Sequence, residues 1–112
     1  MADVEKHRHA AQRGDIIRVL HEDYSSPMTS VGAIAGALDA MGSVVSSEAM
    51  QFHLVYLSDD SLIQIWRNRD MPTWRRDREN LGNPAQIRFA KLLPKGLHLL
   101  DGRIAEDPGV TF

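Results

Sequence analysis

Apolar residues in this chain recur first at helical spacing, then in alternation, and at helical spacing again near the end. Ile16, Leu20 and Tyr24 lie four apart, with Ile17 and Val19 widening the stripe, which predicts a helix over 3–24 with Asp3 as its N-cap. Gly14 interrupts that pattern at a cost of roughly 1 kcal/mol relative to alanine, so 1–13 is expected to be an N-terminal arm, either mobile or a helical extension. Ser25, Ser26 and Pro27 end the helix. Ile34, Leu38 and Met41 predict a second helix over 31–41, capped by Thr29 or Ser30, with Gly42 where a left-handed residue belongs. Met50, Leu54 and Leu57 predict a third over 46–59, with Glu48 in its first turn.

Beyond Asp59 the period changes. Leu62 to Arg69 is rich in β-branched and aromatic residues, and Ala85 to Leu93 answers it with Ile87 and Phe89 two apart. The connection between them, DMPTWRRDRENLGNP, is too long for a tight hairpin turn and reads as a wing. Pro94 opens a short helix carrying Leu97, Leu99 and Leu100, and Gly102 closes it. The fold class that follows is α+β, a winged helix-turn-helix. It has a three-helix core, a two-stranded β-wing and a short closing helix over 14–102, with an extended tail at 103–112.

Composition narrows the chemistry. A chain of 112 residues with 43% apolar and 25% charged positions is expected to make one globular domain. The absence of cysteine excludes disulfides, thiol catalysis and cysteine-ligated zinc. The N-terminal sequence lacks an apolar signal-peptide core and no run would span a membrane, so the expected location is the cytosol. With a formal charge of −2, any nucleic-acid surface must be a local patch.

Two phrases carry a resemblance. HLVYLSDDSLI is similar to the end of a winged-helix recognition helix, and KLLPKGLHLLDG is similar to the far strand of a wing. Bacterial regulators of the multiple-antibiotic-resistance and PadR types have comparable phrases. From GDIIRVLHEDY to DGRIAEDPGV the chain more closely resembles a family of small winged-helix proteins encoded by Mu-like phages and prophages. That resemblance implies the fold and a DNA-binding or regulatory role, and it brings no catalytic residues. Ser61 stands where the family phrase usually has glycine, and Leu93 where threonine is usual.

The candidate DNA contacts are wing arginines and the start of the third helix. Arg67, Arg69, Arg75, Arg76 and Arg78 cluster around Trp74, opposed only by Asp70 and Asp77 between Trp66 and Arg78. Arginine forks suit phosphate oxygens and narrow minor grooves. The plain alternative is a solvated surface paired with Asp70, Asp77 and Glu79. Ser46, Ser47 and Thr29 sit where helix N-termini could meet phosphates, and Gln51 is the only good base reader on the third helix. The rest of that outer face is Glu48, Phe52, Val55, Tyr56 and Asp59. The stripe of Phe52, Val55 and Tyr56 reads equally as a partner-binding surface or as core covered by another part of the chain.

A homodimer is expected through the first helix and the C-terminal residues, with Ile17, Val19 and the small face of the second helix suited to it; the plain alternative is that these residues only close the monomer core. His7 and His9, two apart on a helix, make no metal pair, and His53 reads as a half-buried structural histidine. No cofactor, small-molecule ligand or catalytic constellation is indicated. Double-stranded DNA is the expected partner, with protein–protein interaction as the alternative.

Overall fold

The computed structural model describes residues 2–68, 71–73 and 87–112, with side chains at 5–67 and 87–112. Helices α1 (Ala2–Glu22), α2 (Val31–Ala40), α3 (Ser47–Asp59) and α4 (Pro94–Leu100) pack with strands β1 (Thr29–Ser30), β2 (Ile63–Asn68), β3 (Met71–Thr73) and β4 (Phe89–Leu92). The class is α+β. The strands form one antiparallel sheet in the order β1-β4-β2-β3.

Local chemistry sets the helix ends. The Ser30 side chain accepts from the Ala33 N–H, and the Ser46 side chain accepts from the Ala49 N–H, each at 3.1 Å. Gly42 follows α2 with φ 82, a conformation that glycine takes without penalty. Ser61 takes φ 61 at the turn into β2, a left-handed conformation that glycine adopts more readily. Leu93 supplies no side-chain cap to α4, which starts instead on Pro94.

Ile16, Ile17, Leu20, Ile34, Leu38, Met50, Leu54 and Leu57 close a core against Leu62, Ile63, Ile65, Ala90 and Leu92. Ile17 and Val19, expected to serve a dimer, are buried inside the monomer. The stripe they belong to is wide enough that α2, α3 and the sheet cover it.

Three features settle or depart from the expectations. First, α1 runs unbroken through Gly14, so residues 2–13 are the helical extension and not a mobile arm. Gly14 packs against the C-terminal segment, and a Cβ there would overlap the Thr111 carbonyl oxygen. Second, the sheet has four strands where two were expected, β1 and β3 being the additions. Thr73 lies opposite Ile65 and Pro72 opposite Trp66, with a register shift between Trp66 and Asn68. Pro72 hid this strand, yet an outermost strand tolerates a residue lacking an N–H. Third, the C-terminal residues are not a free extended tail. Val110 is 6% exposed and the Thr111 N–H donates to the Ala10 carbonyl at 2.9 Å.

The helical glycines thus differ in their reasons for being there. A Cβ on Gly36 would meet nothing within 4 Å, whereas one on Gly14 would strike backbone. Gly36→Ala is expected to raise stability by about 0.4–1 kcal/mol and Gly14→Ala to lower it by about 1–3 kcal/mol, measured by urea denaturation at one pH.

Candidate nucleic-acid and partner interface

α3 is buried along more than its apolar stripe. Gln51 and His53 flank Met50 and Leu54 on opposite sides, and both are inside, at 8% and 1% exposure. A buried amide or imidazole needs partners. The Gln51 side-chain Nε2 donates to the Ile87 carbonyl at 3.0 Å, and the Ile87 N–H donates back to Oε1 at 3.2 Å. The side chain pairs with Ile87 as a neighbouring strand would, just ahead of β4. Gln51 is therefore not a base reader: both ends of its amide are engaged inside the protein.

On the opposite flank, His53 Nε2 lies 2.8 Å from Gln12 Oε1 on α1, and the His9 ring meets the His53 ring edge-on at 5.4 Å. Nδ1 of His53 and Nε of Arg13 are buried without a hydrogen-bond partner among the described residues. Burial, with Arg13 and His9 nearby, pushes the His53 pKa down to about 4. The ring is thus neutral and fully buried, rather than half-buried as its position suggested.

The sequence-predicted contact residues fall into separate places. Ser46 and Ser47 are exposed at the α3 N-terminus, with Ser46 acting as the cap. Thr29 is buried, and its hydroxyl donates to Asp23 at 2.6 Å, which removes it as a phosphate contact. That bond, with a second from Ser26, holds the Asp23 carboxyl below its ordinary pKa. Arg67 is half-buried near the end of β2. Arg69, Arg75, Arg76 and Arg78 lie outside the described residues, as does Trp74. Arg88, which the sequence reading passed over as part of a strand, is exposed at the same end of the sheet as Arg67, and its N–H donates to the Trp66 carbonyl at 2.8 Å.

The outer face of α3 divides in two. Phe52 is 58% exposed between exposed Glu48 and Asp59. Val55 and Tyr56 are half-buried. The Arg13 guanidinium stacks 3.9 Å from the Tyr56 ring centre, and the Tyr56 hydroxyl donates to Asp107 at 3.0 Å. Tyr56 is therefore covered from within the chain by α1 and the C-terminal segment, leaving Phe52 as the open part of the stripe. The sequence carried a signal for this cover in its Asp107-Pro108-Gly109 turn, but nothing in it named the docking site.

Among the described residues no group of His, Cys, Asp or Glu could hold a metal ion, and no helix is long and apolar enough to cross a membrane. Comparison with protein-family models, curated proteins and solved structures finds no match to this chain.

Two outcomes follow from these buried polar pairs. Gln51→Leu strands the Ile87 N–H and carbonyl, so it is expected to cost about 1–3 kcal/mol in chemical denaturation. His53 has a folded pKa below its unfolded value of 6.5. Its contribution is complete above pH 6.5 and is lost as the pH falls toward 4, amounting to about 3 kcal/mol. Denaturation curves from pH 7 to pH 4 should show this slope in the parent and a reduced slope in His53→Gln, which keeps a polar group for Gln12.

Proposed function

We propose that this chain is a winged-helix DNA-binding domain of the kind found in Mu-like phages and prophages. It acts as a regulator through contacts to the DNA backbone rather than through base reading by α3. The observation that carries this reading is the pairing of Gln51 with Ile87. It ties the first turns of α3, with exposed Ser46 and Ser47, to the sheet end bearing Arg67 and exposed Arg88. Five arginines between residues 67 and 78, in a chain of net charge −2, concentrate positive charge in one stretch of sequence. Arginine forks and a helix N-terminus suit phosphate oxygens. Glu48, Asp59 and Phe52 repel phosphate or cannot bond it, so α3 contributes its start and not its outer face. In this reading the protein is not an enzyme. It acts as a dimer in the host cytosol, with an interface that does not use Ile17 or Val19.

A second reading rests on Phe52. An aromatic ring 58% exposed beside two acids fits a protein partner carrying apolar and basic side chains. Under that reading the domain is an interaction module.

The two readings separate experimentally. Arg75→Ala with Arg76→Ala should weaken binding to genomic DNA fragments. It should also reduce the slope of log K against log salt by about 2, since each phosphate contact contributes about 0.9. An unchanged affinity and slope in fluorescence anisotropy would sink the wing-led mechanism. Phe52→Asp should leave DNA affinity within about threefold, whereas under the second reading it dissolves an oligomer or complex seen by light scattering.

A further inference from the structure

We infer that the C-terminal segment, residues 107–111, is a clasp that opens separately from the core, and that two adjoining carboxyl groups, Asp60 and Asp107, latch it through a shared proton. The geometry concentrates its attachment at one place. Asp107 Oδ1 accepts from the Tyr56 hydroxyl at 3.0 Å and from the Gly109 N–H at 2.7 Å. Arg13 donates to the Gly109 carbonyl at 3.0 Å, and the Thr111 N–H bonds Ala10 on α1. A Cβ on Gly109 would displace the Tyr56 hydroxyl end, and one on Gly14 would strike the Thr111 backbone. Between these bonds and α4 the segment arches over a cleft of about 580 Å³, bordered by Leu99, Ile104 and Phe112. Val110 is the segment's one fully buried apolar residue. A piece held by so few contacts can open below the free energy of global unfolding.

The latch is the carboxyl pair. Asp60, the residue after α3, and Asp107 stand within hydrogen-bonding reach of each other, and a bond between two carboxyl groups needs a proton on one of them. That bond, then burial, raises the Asp60 pKa to about 6. Burial alone would raise Asp107 as well, but the bonds from Asp60, Gly109 and Tyr56 hold it below its ordinary value. The other charged or titratable groups facing the pair are Asp59 and Tyr56 from α3, Lys95 from α4 and Arg13 from α1. Lys95 also donates to the Asp60 backbone carbonyl at 2.8 Å.

The sign of the pH effect follows from Asp60. Its folded pKa lies above its unfolded value, so its contribution to closure is complete below about pH 3.8 and is lost as the pH rises through about 6. Above that, two carboxylates face each other across the joint. Opening bares Tyr56 one helical turn from exposed Phe52, beside Val55. The clasp would thereby control how large an aromatic surface α3 presents. That use rests on the interaction reading of α3, whereas the opening itself does not.

The test is amide hydrogen exchange of the intact protein, read by NMR and corrected for intrinsic rates. The Thr111 amide should exchange faster than the β2 amides and with little denaturant dependence. Its opening constant should rise about tenfold from pH 5 to pH 7.5, the ratio expected for a carboxyl moving from about 6 to 3.8 on opening. Asp60→Asn, which keeps a donor to Asp107, should abolish that rise. Exchange of Thr111 only together with β2, or a rise that persists in Asp60→Asn, would overturn the clasp. Because the readout needs no DNA or partner, it stands or falls apart from either function.

Discussion

The burial of α3 on three sides is the constraint from which the rest of the structure follows. Met50, Leu54 and Leu57 fill the core, and their neighbours Gln51 and His53 are carried inside with them. A buried polar group left unpaired costs more than the pairing itself contributes. Gln51 therefore fixes where the chain must return at Ile87, ahead of β4, and His53 fixes where Gln12 of α1 must lie. One helix thereby sets the approach of the sheet on one flank and the direction of the long helix on the other. Removing either polar partner disturbs the placement of a whole element.

The same constraint shapes what the molecule can touch. A helix pinned on both flanks presents a narrow outer strip, here Glu48, Phe52 and Asp59. Its chemistry is acid and aromatic, which does not match phosphate or base edges. The positive charge stands elsewhere, in the arginines from 67 to 78 and at Arg88. The C-terminal segment adds a further restriction by covering Tyr56, the strip's neighbour toward α1.

Much of the framework was legible in the residues. The helix stripes, the Ser30 cap, the Gly42 turn and the proline start of α4 depend on neighbours within a few positions, and pattern reading finds such features. Ser61 was legible as a turn lacking its glycine, and it adopts the positive φ that the turn demands. The errors share one cause. Gln51 looked like a base reader because helical angle alone put it near the outer face. Its burial depends on Ile87, thirty-six positions away. Gly14 looked like a helix break because its reason lies at Thr111, the other end of the chain. Pro72 disguised β3, since a proline forbids a central strand but not an outermost one.

The amino-acid sequence by itself determined the class, the approximate span of each helix, most apolar residues of the core (Tyr24 and Met41, expected on the buried stripes, are exposed), and the concentration of arginine before β4. All of these are set by local spacing and composition. Only the tertiary structure decided which polar side chains are inside, and with it the loss of Gln51 and Thr29 as contact residues. It also decided the covering of Tyr56 and the attachment of the C-terminal segment to α1 and α3. Burial is a property of what packs from afar, and a side chain's chemistry becomes available to a partner only where nothing in its own chain has already claimed it.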